Sequence, residues 1–154
     1  MAHNIIIYTD GAASGNPGPG GYGIVLQSGK HYKELSEGFR LTTNNRMELL
    51  AVIVALETLK FVPSNVTVYT DSKYVCDAVE KSWVFQWEKN RFNKKKNPDL
   101  WIRFLIIYRK HNVRFEWVKG HANNPYNERC DQLAVEASKK PNLLIDTEYE
   151  ALSQ

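Results

Sequence analysis

Hydrophobic and polar positions along the chain predict nine strands and helices. Residues 4–13 carry the apolar run Ile5-Ile6-Ile7-Tyr8, of strand length and buried character. Residues 15–21, Gly15-Asn16-Pro17-Gly18-Pro19-Gly20-Gly21, carry turn chemistry that excludes regular structure. Residues 22–27 and 32–41 have strand length and flank Ser28-Gly29-Lys30, which predicts an antiparallel hairpin. Thr42-Thr43-Asn44-Asn45 supplies helix-cap candidates. From Arg46 the pattern turns helical, with Met47, Leu50, Ala51, Val54 and Ala55 at helical spacing, until Pro63 ends the region. Residues 66–70 form the next strand, and Ser72 caps a helix running through Tyr74, Val75 and Ala78. A Trp-rich basic segment, 82–97, precedes a helix over 100–110 and a strand over 113–118. The last helix, 127–139, places Cys130, Leu133, Ala134 and Ala137 on one side. The order β-β-β-α-β-α-α-β-α predicts an α/β domain with a mixed sheet and helices on its faces. No tandem repeat interrupts it.

Composition narrows the class. The chain has 154 residues, 43% hydrophobic and 24% charged, which is globular and long enough for one real core. No apolar run approaches the ~20 residues of a membrane span. Met1-Ala2-His3-Asn4 leads straight into a strand, without the basic-then-apolar pattern of a signal peptide. Cys76 and Cys130 make no CxxC pair and no zinc spacing, so reduced thiols in a cytoplasm are the expectation. The sequon Asn65-Val66-Thr67 then carries no weight.

Charge changes the picture more. The net charge is only +3, yet residues 81–114 hold ten Lys/Arg against Glu88 and Asp99, a local +8, and the remainder sums to −5. Such a block is either an electrostatic footprint for a polyanion or a solvated helical face. The segment 141–154 holds Asp146, Glu148 and Glu150 without Lys or Arg, and reads as an acidic, flexible tail behind a domain spanning 1–140.

Two apolar runs end in the same letters, Tyr8-Thr9-Asp10-Gly11 and Tyr69-Thr70-Asp71-Ser72. A buried carboxylate is costly unless paired or bound to a metal. Asp10 has the weakest structural excuse, because Asp is disfavoured inside strands. Asp71 has an alternative as a helix cap. Glu48 stands among Met47, Leu49, Leu50 and Ala51, and Asp131 between apolar neighbours, although acids near helix N-termini also arise from the helix dipole. Four carboxylates from separate segments fit a hard cation, Mg²⁺ or Mn²⁺ rather than zinc. The chemistry such a site serves is phosphoryl transfer with two ions. Together with a basic footprint this converges on a nuclease. Gly18-Pro19-Gly20-Gly21-Tyr22-Gly23 matches GxGxxG literally, but it exits into Ile24-Val25-Leu26, a strand rather than a helix, so it predicts no dinucleotide site.

These residues resemble type 1 ribonuclease H over nearly the whole chain. The matching segments are Tyr8-Thr9-Asp10-Gly11, the run from Gly15 to Gly23, Thr42-Thr43-Asn44-Asn45-Arg46-Met47-Glu48, Thr70-Asp71-Ser72, Trp117-Val118-Lys119-Gly120-His121 and Asn127-Glu128-Arg129-Cys130-Asp131. The resemblance implies a ribonuclease H-like fold with a five-stranded mixed sheet, three strands antiparallel and the rest parallel. It also implies hydrolysis of the RNA strand of RNA–DNA hybrids by two metal ions, leaving 5′-phosphate and 3′-hydroxyl ends. Asp10, Glu48, Asp71 and Asp131 match the metal positions, with Mg²⁺ expected and Mn²⁺ as the alternative. His121 matches a histidine that assists leaving-group protonation or product departure; alone it would be a surface His.

Discriminating RNA requires sensing a 2′-hydroxyl, which both donates and accepts. Backbone amides near Gly11 and Ala12, with Asn16, Asn44 and Asn45, are the candidates, and Thr43, Arg46, Ser72 and Lys73 lie beside them. Asn16 has an alternative as a turn residue, Asn44 and Asn45 as caps. Many relatives carry Gln where this chain has Lys73, which offers a phosphate contact instead. The segment about 82–98 resembles the family's basic protrusion, shorter than in some bacterial members. Its Lys89, Lys94, Lys95 and Lys96 are expected on DNA-strand phosphates, and its aromatic residues on packing: Trp83 and Phe92 between helices, Trp87 in either role. The expected partner is the hybrid alone, bound by a monomer, with no membrane and with any single-stranded-DNA-binding or replication protein unidentified. The rival readings are a non-catalytic hybrid-binding module and another nuclease of the same fold, such as a junction resolvase.

Overall fold

The first apolar run becomes β1 (His3–Ala13), at the centre of a computed structural model that describes residues 3–119 and 124–152. On one side β1 pairs antiparallel with β2 (Gly18–Ser28), and β2 with β3 (His31–Thr42). On the other side β4 (Ser64–Thr70) runs parallel to β1, and β5 (Asn112–Trp117) parallel to β4. The order β3-β2-β1-β4-β5 is the mixed five-stranded sheet expected. Successive side chains of a strand point to opposite faces. Ile5 and Ile7 therefore join Tyr22, Ile24 and Leu26 in the main core, while Tyr8 and Val25 meet Cys130 and Leu133 on the opposite face. Helices on both faces explain why Ile5, Ile7 and Tyr8 are apolar on either face of β1, while Ile6 is 37% exposed.

The main core is built on α1 (Asn44–Thr58). The sequence suggested one apolar face, but Leu49, Val52 and Ile53 are buried as completely as Met47 and Ala51. A helix apolar on all sides must be covered on all sides. The sheet covers one side of α1, and α4 (Pro98–Tyr108) covers another with Trp101 and Phe104. Between β4 and α4 the chain forms α2 (Lys73–Glu80) and α3 (Trp83–Lys89). The other face carries α5 (Pro125–Ser138), and α6 (Thr147–Leu152) follows it. No described helix is long and apolar enough to cross a membrane.

Three expectations are corrected. The turn chemistry at 15–21 stops at Pro17, because Gly18, Gly20 and Gly21 already lie in β2. A Cβ on Gly23 would stand 2.2 Å from the Cys130 carbonyl oxygen, and one on Gly21 2.5 Å from that of Ala134. These glycines let α5 lie directly on the strand, which accounts for the literal GxGxxG match. Trp83 is not packing material: it is 44% exposed, with the Lys81 ammonium over its ring. Phe92 and Trp87 do pack, Phe92 in the core and Trp87 edge-on against Trp101.

The segment beyond Lys140, expected to be flexible, folds back onto the domain. Leu144 exchanges backbone hydrogen bonds with the β3 region, donating to Gly38 and accepting from Arg40. Asp146 is buried and accepts from the Arg46 guanidinium and the Thr42 hydroxyl, both at 2.7 Å. Composition alone could not show this, since the partner of Asp146 lies 100 residues away.

Candidate active site

The site forms where the sheet divides. β1 and β4 run side by side as far as Tyr8 and Tyr69, and there their pairing ends. β1 continues against β2 to Ala13, and β4 against β5 to Thr70. Asp10 stands on one arm of this fork, and Asp71 just past the end of the other. Glu48 arrives from the first turns of α1, which approaches β1 closely because residue 11 is glycine. A Cβ there would lie 2.4 Å from the Met47 carbonyl carbon. The Gly11 N–H donates to Asp10 Oδ1 at 2.9 Å and also to Glu48 Oε1. Oxygen atoms of Asp10, Glu48 and Asp71 lie within 4.8 Å of one another. Asp131, on α5, lines the same open cavity of about 360 Å³.

Electrostatics show what this donor set suits. Burial, then the charge of Asp10, holds the Glu48 carboxyl well above the usual carboxylate range. Beside Asp10, Glu48 therefore resists ionising without a compensating charge. Hard divalent cations take such carboxylate donors, so the residues fit one.

The surrounding groups orient the cluster. Ser72 caps α2 as expected, its hydroxyl accepting from Val75 N–H at 3.2 Å, and it also lines the cavity. The Trp117 indole N–H donates to the Asp71 carbonyl at 3.0 Å, and the Lys73 ammonium lies 4.6 Å from the centre of the Trp117 ring. Thr43 caps α1. The Asn16 side-chain oxygen accepts from Asn44 N–H at 3.0 Å, and the Asn44 oxygen accepts from Ala13 N–H. Each tether fixes an amide by its oxygen and leaves its NH₂ as the donor end. Asn16 thus ties its turn to the start of α1, and Asn44 is a tether to β1 rather than the expected cap, a role Thr43 takes.

A second cavity, of about 650 Å³, adjoins the first at Asn45 and is lined by Asn16, Thr43, Arg46, Lys95 and Lys96. Lys95 sits over the Trp87 ring at 5.1 Å. Lys89 and Lys94 are exposed but line neither cavity. Two sequence readings need correction. Arg46 is only 2% exposed, and its guanidinium is committed to Asp99 and Asp146, with Asn97 as a further acceptor. It is a strut under the groove rather than a substrate contact. The Gly11 N–H is likewise committed, to the carboxylates of Asp10 and Glu48. His121 lies outside the described residues.

Tyr74, Trp117 and Asn127 carried no role in the sequence reading. Tyr74 lines the carboxylate cavity, and its hydroxyl accepts from Asn97 and from the Trp101 indole. Asn127 is fully buried beneath the fork. Its sequence signal is ordinary, an Asn in the first turn of a helix.

Comparison with known proteins agrees with this geometry. The RNase H family model matches residues 2–139. The chain is 63% identical over 147 residues to a ribonuclease H of Desulforamulus reducens, covering 92% of each chain. It is 57% identical to a ribonuclease H of Trichodesmium erythraeum, covering 95% of this chain and 96% of that one. A ribonuclease HI of Synechocystis is 50% identical, with 92% of each chain covered. Among solved structures, LC9-RNase H1, a type 1 RNase H, superposes with a TM-score of 0.81 at 28% identity, covering 99% of this chain and 82% of that one. LC11-RNase H1, solved in complex with an RNA/DNA hybrid, gives 0.66 at 32% identity, covering 86% and 95%. With sheet order, carboxylate cluster and sequence in agreement along its length, the chain belongs to the RNase H family.

Proposed function

We propose that the chain is an endonuclease that hydrolyses the RNA strand of RNA–DNA hybrids, independently of sequence, and leaves 5′-phosphate and 3′-hydroxyl ends. The observation that carries this reading is the convergence of Asp10, Glu48 and Asp71 within 4.8 Å, in a cavity continuous with an amide- and lysine-lined groove. The named relatives and the hybrid complex of LC11-RNase H1 support the substrate.

Asp10, Glu48 and Asp71 hold divalent cations, Mg²⁺ or Mn²⁺, with Asp131 supporting a second ion. When bound, such ions stabilise both the attacking and the leaving oxygen of an in-line displacement at phosphorus. The chain's own groups do the positioning. Lys73, Lys95 and Lys96 attract phosphates in a salt-dependent, sequence-independent way. The NH₂ groups of Asn16 and Asn44, held by their oxygens, donate to sugar and base acceptors along the groove. His121 assists product departure, a role that rests on the resemblance.

The test is a hybrid with a labelled RNA strand. Cleavage in Mg²⁺ that stops on chelation and yields 5′-phosphate products supports the reading. Binding of the hybrid without any cleavage, at any divalent concentration, would leave only a binding module.

A further inference from the structure

The fork between β1 and β4 is bridged by one side chain that the catalytic reading leaves without a role. Asn127 lies in the first turn of α5 and is 0% exposed. Its amide nitrogen donates to the Thr9 carbonyl at 3.5 Å and to the Tyr69 carbonyl at 3.4 Å. A side-chain amide has two N–H donors on one nitrogen, and here it meets one acceptor on each strand. Thr9 directly precedes Asp10, and Tyr69 is two residues before Asp71. These carbonyls stand where pairing between the strands ends, so the amide spans the two arms just below their carboxylates.

The helix end of the bridge is equally fixed. The Asn124 side-chain oxygen accepts from Asn127 N–H at 3.2 Å. Asp131 follows Asn127 by four residues, hence on the same face of the helix, and lines the carboxylate cavity. Packing alone does not call for an amide at this position. Asn127 Oδ1 is buried with no hydrogen-bond partner among the described residues, which is unfavourable and would not arise with an apolar side chain. The arrangement makes sense if the two donors matter more than the stranded acceptor.

We propose that Asn127 is a positioning residue, whose amide ties both arms of the fork to the first turn of α5 and so sets the spacing of Asp10, Asp71 and Asp131 at which divalent cations are held. The inference rests on the metal-site reading above but not on the substrate. Removing the amide leaves the Thr9 and Tyr69 carbonyls without this donor and frees the helix to shift against the sheet. The carboxylates remain, but their spacing is no longer set.

The experiment compares Asn127→Ala with Leu133→Ala. Leu133 is buried on the same helix against the sheet and has no donor to offer a carbonyl, so it serves as the stability control. Mn²⁺ affinity is measured by calorimetry on the substrate-free protein, beside the Mg²⁺ dependence of hybrid cleavage and thermal melting. Asn127→Ala is expected to weaken Mn²⁺ binding by roughly 10-fold or more, as loss of a group that orients metal ligands does. The Mg²⁺ midpoint for cleavage should rise in parallel, with KM for the hybrid unchanged. Leu133→Ala should lower the melting temperature and leave both metal readouts in place. If Asn127→Ala does not fold, Asn127→Ser keeps a shorter donor and carries the same expectation. Metal readouts that stay at the wild-type values, or move no further than in Leu133→Ala, overturn the proposal. So does failure of both Asn127 variants to fold, which would make the residue a folding requirement. Mn²⁺ binding that weakens in Asn127→Ala, in a protein whose wild type never cuts a hybrid, would remove the proposed function and leave the positioning role standing.

Discussion

Glu48 shows how one residue can be unfavourable to the fold and necessary to the site. It is buried among Met47, Leu49 and Ala51, and the charge of Asp10 adds to the cost of ionising it. Removing one of these charges should therefore relieve the fold while ending the chemistry. Asp10→Asn is expected to reduce cleavage on the order of 10³-fold or more, a loss at or beyond that seen when one transition-state donor is removed. Its metal-free melting temperature should equal or exceed that of the wild type. Retained activity in that variant would contradict the assignment of Asp10.

His111 sets a separate pH dependence. It is buried, and its Nδ1 accepts from Ser64 N–H at 3.0 Å, which requires the neutral ring. Burial, then the charge of Lys110, lowers its pKa below the ordinary value of 6.5. The native state therefore resists a proton that the unfolded chain accepts. Its contribution is complete above about pH 6.5 and is lost as pH falls through the lowered native value. Melting curves between pH 7 and pH 5 should show a fall that is shallower in His111→Gln. Equal slopes would exclude His111 as the source.

Such single residues differ in how far sequence revealed them. Asp10 and Asp71 were legible because an Asp closing an apolar strand needs a reason. Glu48 was legible because a charge within an apolar helix does too. Arg46 was not, because its burial depends on Asp99 and Asp146, which are distant in the chain. Asn127 was not, because an Asn in the first turn of a helix needs no special explanation.

At the scale of elements, the strands and main helices followed from apolar runs, caps and prolines. The misreadings arose where contacts outside an element decide its state. The glycines of β2 resembled a turn until α5 was seen lying on them. The C-terminal segment resembled a flexible tail because acidity without local partners reads that way. Its docking has a measurable consequence. Asp146→Ala removes one carboxylate from a buried Arg46, and Asp99 retains its own. The expected loss is toward the lower end of the about 3–5 kcal/mol found when one partner of a buried pair is removed. For a chain of this length that lowers the melting temperature by roughly 6–12 °C. A shift below about 2 °C, less than 1 kcal/mol, would show that the tail contributes little to the fold.

For the whole molecule, structure concentrates the charge that sequence spread over 81–114. Arg103, Arg109 and Arg114 form ion pairs with Glu57, Glu88 and Glu116. Lys81 pairs with Asp77, and the exposed Lys89, Arg91, Lys94, Lys95 and Lys96 cluster around the turn that leads to the larger cavity. A basic lobe thus adjoins an acidic fork, one suited to a polyanion and the other to a cation. Divalent metal should stabilise the fold, because it binds the native cluster and not the unfolded chain. At about 100 times its dissociation constant the gain is about 2.7 kcal/mol, which raises the melting temperature by roughly 5–10 °C. Melts that do not move in millimolar Mg²⁺ or Mn²⁺ would count against a preformed site.

The most direct test of the central claim is cleavage of three duplexes of matched sequence, RNA–DNA, RNA–RNA and DNA–DNA, each with Mg²⁺ and with excess chelator. The account expects scission of the RNA strand in the RNA–DNA duplex alone, and only with metal. Comparable cutting of the DNA–DNA duplex, or cleavage that persists in chelator, would contradict it.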